Sequence, residues 1–563
     1  MIEEKYKEQI ENLFGSDNDN SLENFIGKLN LLDECLYDKY NFGYPYFKGT
    51  YDINFYEYLK KCQLENNGIN DRGLMKYMSN LFQNIPNWKN PGTMINIIPP
   101  VNLDALAVST MASMYNANFA QDTYAGYLIA SELEVVKYIS DLVDWDWKKA
   151  GGFFTFGGKG TNLYASKIAL NKTNKDILNH GLSGEYFIIS TKTAHPCHYQ
   201  VCDWIGIGYQ SAIEVDCDLD GRINIDQMTK VIKENLNAGK KFLGVNLNGG
   251  NTNELVIDPI KKVSDIILNI KNEYGLNYTP HIHVDSVIGW AYLFYSKYDF
   301  IKNPLNIEAK ILNKIKTINE KAKEFKYADS LGIDFHKIGF CPYTSSLFIV
   351  KDRNDFNYIS KKKIPAVQAL KYGNYDPYDF TLELSRSSTG AISALTSMKS
   401  LGIEGFQYIL KNLLTAVSHF KELIKNHQNI FLLNDDSQGF STLFLLYPNS
   451  MKINSIRDIK KLTPKEIEFI RQYNIEFSAF LLEKSLKNQI SFYFTSSRSY
   501  ILPNTNICIG ALKSYPTSVF LDINHVEKIT QSLFECISEY NNLDDKITTV
   551  LPIRDEMVYK EKK

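Results

Sequence analysis

The chain has 563 residues, 44% of them apolar and 22% charged, which excludes wholesale disorder and exceeds what one hydrophobic core organises, so two or three domains are expected. Lys and Arg number 62 against 64 Asp and Glu, and the cations are scattered, so the electrostatic footprint of a nucleic-acid binder is missing. No apolar run approaches the roughly 18 residues of a membrane span, and the opening MIEEKYKEQIENLF lacks the apolar core of a signal peptide, so a cytoplasmic location with no membrane partner is expected.

Residues 1–90 read as helices and polar loops, with amphipathic stretches such as SLENFIGKLNLLDECLYDKY that predict an N-terminal helical segment packing on something larger. Across 91–400, short β-branched or aromatic runs alternate with helical ones: GGFFTF then TNLYASKIALNKT, EYFIIST, KFLGVNLNGG then DPIKKVSDIILNI, HIHVDSVIGW, SSLFIVKD. Strands alternating with helices predict an α/β layer with a mainly parallel sheet, whose chemistry gathers beyond the carboxyl ends of the strands. From 401 to 563 a helical pattern leads into NIFLLND, FSTLFLLYP, SFYFTSS and the helix VEKITQSLFECISEY, a smaller α+β domain. The eight cysteines form no C-x-x-C pair and read as reduced thiols. Cys197 and Cys202 lie near His195 and His198 without a second ligand cluster, so no metal site is expected.

Four segments carry candidate chemistry. In ADSLGIDFHKIGFCPY, Lys337 follows Asp334 and His336 after a short apolar run; a lysine buried at a strand end is driven toward the neutral amine that forms Schiff bases, whereas an isolated D-x-H-K string also suits a surface loop. Asp285 ends the apolar strand HIHVD and needs a cationic partner; a pyridinium nitrogen, a helix cap or a salt bridge would each serve. Gly157, Gly158, Lys159 and Gly160 lie between a strand and a helix opening at about Thr161, where glycines and exposed N–H groups receive a phosphate or merely turn the chain. His195 follows the strand EYFIIST, placed either to stack on a planar cofactor or to pack and cap.

Taken together and in this order, the four segments resemble the group II amino acid decarboxylases, fold-type-I enzymes that depend on pyridoxal 5'-phosphate (PLP), over roughly residues 90 to 400. The resemblance implies an aspartate aminotransferase-like fold, a homodimer, and PLP held as a Schiff base on Lys337. Thr155, Gly157, Gly158 and Asn162 match the family's phosphate turn, with Lys159 and Gly160 adjoining it. His195 matches the residue stacked on the ring, Asp285 the partner of the pyridine nitrogen, and His336 the residue beside the phosphate; counting back from Gly206 selects His195 over His198. Thr252 and Ser346 are implied as further cofactor contacts, although Ser345, Ser346 and Leu347 replace the glycines usual after Pro342. Arg386, in the element Ser385-Arg386-Ser387, and Asn90, Pro91 and Pro99, in the upstream Pro-rich segment, match the substrate side.

A charged helical insertion at about Ile301 to Lys326 and the string I-G-F-C-P-Y after the lysine are similar to the bacterial tyrosine-decarboxylase-like branch, which favours an aromatic substrate. The implied reaction is decarboxylation to the amine and CO2. Oxidative deamination, carbon–carbon lysis or transamination on the same apparatus, and a non-catalytic binding relative, are the alternatives. A phenol suits the acid that returns a proton to Cα, and Tyr372, Tyr375 and Tyr378, in the loop KYGNYDPYDF, are the candidates.

Overall fold

The computed structural model describes residues 7, 10, 11, 13, 14 and 21–543, apart from 51, 52, 65, 219, 503, 504 and 506 and the side chains of 498 and 499. Twelve strands form among them: β1 (Thr93–Met94), β2 (Gly151–Thr155), β3 (Tyr186–Thr191), β4 (Ala212–Val215), β5 (Lys241–Asn248), β6 (His281–Asp285), β7 (Ser330–Asp334), β8 (Ser346–Val350), β9 (Ile430–Leu432), β10 (Thr442–Leu446), β11 (Tyr493–Ile501) and β12 (Cys508–Ser514). Seven build the larger sheet in the order β2-β8-β7-β6-β5-β3-β4. Only β8 runs antiparallel to its neighbours, and the remaining pairs are parallel.

The sequence explains the sheet. β2, β3, β7 and β8 are buried at every position, as strands inside a mainly parallel sheet covered by helices on both faces must be. The helix Gly158–Thr173 packs across β5, β6, β7 and β8. In register, Asn248 pairs with Asp285 and Asp285 with Gly332, so β5, β6 and β7 end side by side and present Asn248, Asp285 and Asp334 at one edge.

The smaller sheet has the order β1-β11-β12-β10-β9, antiparallel except where β1 joins β11. Phe420, Phe444, Phe477 and Phe494 centre its core. The long helix Thr389–Ile424 serves both halves: Ala391, Ala394, Phe406 and Leu410 bury in the large core, Ala416, Phe420 and Ile424 in the small one, with a kink at Gly402. The expected boundary at 400 falls inside this helix, and β1, just after the one at 90, belongs to the C-terminal sheet. That pairing brings residues 96–98 to the junction of the two halves. Upstream, helices Leu22–Leu36 and Asp71–Ser79 pack on each other and leave Tyr37, Phe42, Phe55 and Leu59 exposed.

Candidate active site

A cavity of about 600 Å³ opens where the carboxyl ends of the large sheet meet the segment 96–98 and the small-domain strands β11 and β12. Lys337, Asp285, His195, Thr252 and Tyr343 line it. Each of the first three follows or ends a strand, as ligand-binding residues of open α/β sheets do.

Lys337 Nζ stands 2.9 Å from Asp334 Oδ2. Burial pushes the Asp334 carboxyl up, but the charges of Lys337 and His336 and the Ser346 hydroxyl outweigh it and hold the group below the usual carboxylate range. Ser346 Oγ donates to Asp334 Oδ1 at 2.5 Å, so this hydroxyl is committed to Asp334. His336 Nε2 lies 3.5 Å from the same carboxylate, and its ring packs on Tyr343 with centroids 4.0 Å apart.

Asp285 is the informative residue. Its Oδ2 accepts from Asn162 Nδ2 at 3.3 Å, while its Oδ1 is buried with no hydrogen-bond partner. Burial raises its pKa, the charge of Lys337 opposing. A buried acceptor left unmatched costs about 1–3 kcal/mol, and a ring N–H directed into the cavity removes that cost. His195 Nδ1 accepts from the Cys197 amide at 3.2 Å, which places the proton of the neutral ring on Nε2. Burial, reinforced by Lys337, lowers its pKa to about 4, so it offers the cavity an uncharged flat face. His198 turns elsewhere: its Nδ1 is 2.7 Å from the His195 carbonyl oxygen and its Nε2 is 3.5 Å from Glu214.

The glycine turn sits beside this group rather than in the cavity wall. Gly157 has φ 131°, a conformation that excludes most side chains, and a Cβ on Gly160 would come within 2.6 Å of Thr155 Oγ1. A Cβ on Gly158 would stand 3.1 Å from Asp334 Oδ2, so the helix N-terminus abuts the D-x-H-K segment. Lys159 Nζ donates to Gln200 Oε1 at 2.7 Å and Thr155 Oγ1 to Glu383 Oε1 at 2.6 Å. A free buried acceptor, a neutral imidazole face, a lysine and a glycine-opened helix start fit PLP.

The other expected positions scatter. Arg386 is buried and bidentate on Glu132, at 2.8 and 2.9 Å, and donates to the carbonyls of Phe119 and Phe154, so its guanidinium ties framework segments together outside the cavity wall. Asn90 Oδ1 accepts from Gly92 N at 2.7 Å; neither it nor Pro91 or Pro99 lines the cavity, whereas Asn96, Ile97 and Ile98 do. Among the loop tyrosines, Tyr372 is exposed, Tyr375 is buried with its hydroxyl 3.4 Å from Glu132, and Tyr378 lies under Lys362; none lines the cavity of its own chain. Sequence reasoning missed Tyr343, Glu254, Tyr500 and Lys513 as cavity residues. Tyr343 ends the string I-G-F-C-P-Y six residues after Lys337, a usable signal; the other three had none.

The family model described as the pyridoxal-dependent decarboxylase conserved domain matches residues 64–443. The chain belongs to this family, and its cofactor is pyridoxal 5'-phosphate. It is similar to an L-2,4-diaminobutyrate decarboxylase of Rhizobium meliloti (strain 1021), 22% identical over 366 residues that cover 64% of this chain and 65% of the relative. An L-tyrosine decarboxylase of Enterococcus faecium is 23% identical over 286 residues, covering 46% and 43% of the two chains. The match thus spans less than two thirds of the length of either relative. Among solved structures, mouse CSAD in its apo form superposes with a TM-score of 0.73 at 16% identity, covering 91% of this chain and 98% of the other, which establishes the fold-type-I architecture.

Proposed function

We propose that this chain is a PLP-dependent carboxy-lyase that converts an L-amino acid, with aromatic side chains favoured, to its amine and CO2. The buried, unmatched Oδ1 of Asp285 within reach of the Lys337 cavity carries the reading. Bound there, the cofactor supplies an electron sink for the bond broken at Cα. Lys337 holds the cofactor. Asp285 accepts from the ring N–H and keeps that proton in place. His195, neutral throughout the physiological range, covers the ring without adding charge. Ile97, Ile98, Tyr343 and Leu502 give the cavity apolar and aromatic faces suited to an aromatic side chain, and the L-tyrosine decarboxylase relative supports the same preference.

A phenol returns the proton to Cα. Of the three loop candidates, Tyr372 is the exposed one, and this reading has it approach the cavity of a second copy. A homodimer would also cover Tyr37, Phe42, Tyr115 and Tyr127, which one chain leaves exposed. Among the described residues no helix is long and apolar enough to cross a membrane, and a cytoplasmic location is part of this reading. PLP-loaded protein incubated with each of the twenty amino acids, with CO2, amine, ammonia and aldehyde measured, tests it. Equimolar CO2 and amine from an aromatic amino acid is expected. Ammonia with aldehyde, or no CO2 from any of them, rejects simple decarboxylation.

A further inference from the structure

The cavity has a second polar end, built jointly by the two domains. Glu254, in the loop after β5, lines it together with Tyr500 of β11 and Lys513 of β12. Burial raises the Glu254 pKa, and hydrogen bonds with Tyr500 and Asn251 and the charges of Lys513 and Lys421 oppose the rise and favour the carboxylate. Asn251 Nδ2 donates to Glu254 Oε2 at 3.0 Å, and the Tyr500 phenol donates to the same carboxylate.

The loop is held from both sides. Asn434 Nδ2 donates to the Asn253 carbonyl at 2.9 Å, and Ser437 Oγ to the Glu254 carbonyl at 3.1 Å, both from the small domain. Leu255, the next residue, has φ 57°, a strained conformation retained because these contacts over-determine the turn. Glu254 is therefore a preorganised acceptor. Two donors leave part of its capacity of about four lone-pair sites unused.

Ile97, Ile98 and Leu502 line the same cavity, so a planar apolar body fits there with a polar tip at Glu254. The tip is a phenol rather than an ammonium, because Lys513 already places a cation in this wall and repels a second one, while a phenol oxygen both donates and accepts. We propose that Glu254, positioned by Asn251 and Tyr500, accepts a hydrogen bond from the phenol hydroxyl of the substrate and so selects a hydroxylated aromatic amino acid over its unhydroxylated counterpart. This rests on the aromatic reading above. A ring lacking the hydroxyl covers the carboxylate and leaves its remaining capacity unmatched and cut off from water, the situation in which hydrogen-bonding sites discriminate most strongly.

The test compares kcat/KM for L-tyrosine and L-phenylalanine in the PLP-loaded enzyme, Glu254→Leu and Glu254→Gln, with cofactor absorbance confirming that each variant is assembled. The parent is expected to prefer tyrosine by at least about 100-fold. Glu254→Leu brings the ratio within about tenfold of unity through a raised KM for tyrosine, and Glu254→Gln, which keeps an acceptor, retains most of the preference. An unchanged ratio in Glu254→Leu, or equal use of both amino acids by the parent, overturns the role of Glu254 and leaves the aromatic reading standing. CO2 from neither, with turnover of a non-aromatic amino acid, sinks that reading and this assignment with it. If Glu254→Leu fails to hold the cofactor, inhibition of the parent by the two product amines makes the same comparison: the hydroxylated amine binds more tightly, and equal inhibition overturns the proposal.

Discussion

The two ends of the cavity differ in how they are built. At the lysine end, Lys337, Asp285 and His195 follow or end β7, β6 and β3 of one sheet, and the backbone register of β3, β5, β6 and β7 fixes their spacing. At the other end, Glu254, Tyr500, Lys513 and the segment 96–98 come from two domains, joined by side-chain bonds such as Asn434 to the Asn253 carbonyl and by the short pairing of β1 with β11. On the reading proposed above, chemistry sits on the rigid sheet, where geometry is inherited from the fold, and recognition sits on the seam, where single residues can change without disturbing the strands.

If the division is real, changes at the two ends separate into rate and selectivity. Asp285→Asn should leave PLP bound and lower kcat on the order of 10²–10³-fold with every substrate alike; a selective loss with one amino acid would erase the distinction. Arg386, expected on the substrate side, is instead a framework test. Removing Glu132 by Glu132→Gln leaves the guanidinium buried without its charge partner, and breaking such a pair costs about 3–5 kcal/mol, to be read as a lower Tm with KM unchanged. A raised KM at unchanged Tm would return Arg386 to the substrate.

Tyr372→Phe should preserve substrate consumption while moving product from amine to aldehyde plus ammonia, and Tyr375→Phe, whose hydroxyl already faces Glu132, should not. Parental amine release by Tyr372→Phe would pass the role to Tyr343, the phenol in the cavity itself. The smallest effect concerns pH. His195 and His283 have folded-state pKa values lowered from 6.5 to about 4 and about 3, chiefly by burial. Below 6.5 the unfolded chain binds protons that the folded chain refuses, so stability is complete above that pH and declines as pH falls toward 4 and then 3. Tm measured from pH 7 down to pH 4 should fall, with no stabilising step in that window assignable to either histidine.

That Lys337, Asp285 and His195 would gather at one place was legible in the sequence because strand ends are. HIHVD, EYFIIST and SLGID announce themselves as buried runs, and the polar residue that ends or follows each is conspicuous. The mainly parallel sheet was legible for the same reason. β1 was not: two residues carry no periodicity, and its pairing with β11 is settled by tertiary contacts alone. Residues 96–98 stayed hidden behind the more conspicuous prolines at 91 and 99, and Glu254 behind the loop's glycines, because a carboxylate in a polar turn looks the same whether it faces solvent or a cavity. Arg386 misled because its motif fixes where the arginine lies in the chain but leaves open which way the guanidinium points.

The central claim is that Lys337, and no other lysine, holds the cofactor opposite Asp285. Borohydride reduction of the PLP-loaded protein followed by peptide mapping tests it directly: the account predicts the pyridoxyl label on Lys337, and a label on Lys159, beside the glycine turn, would contradict it.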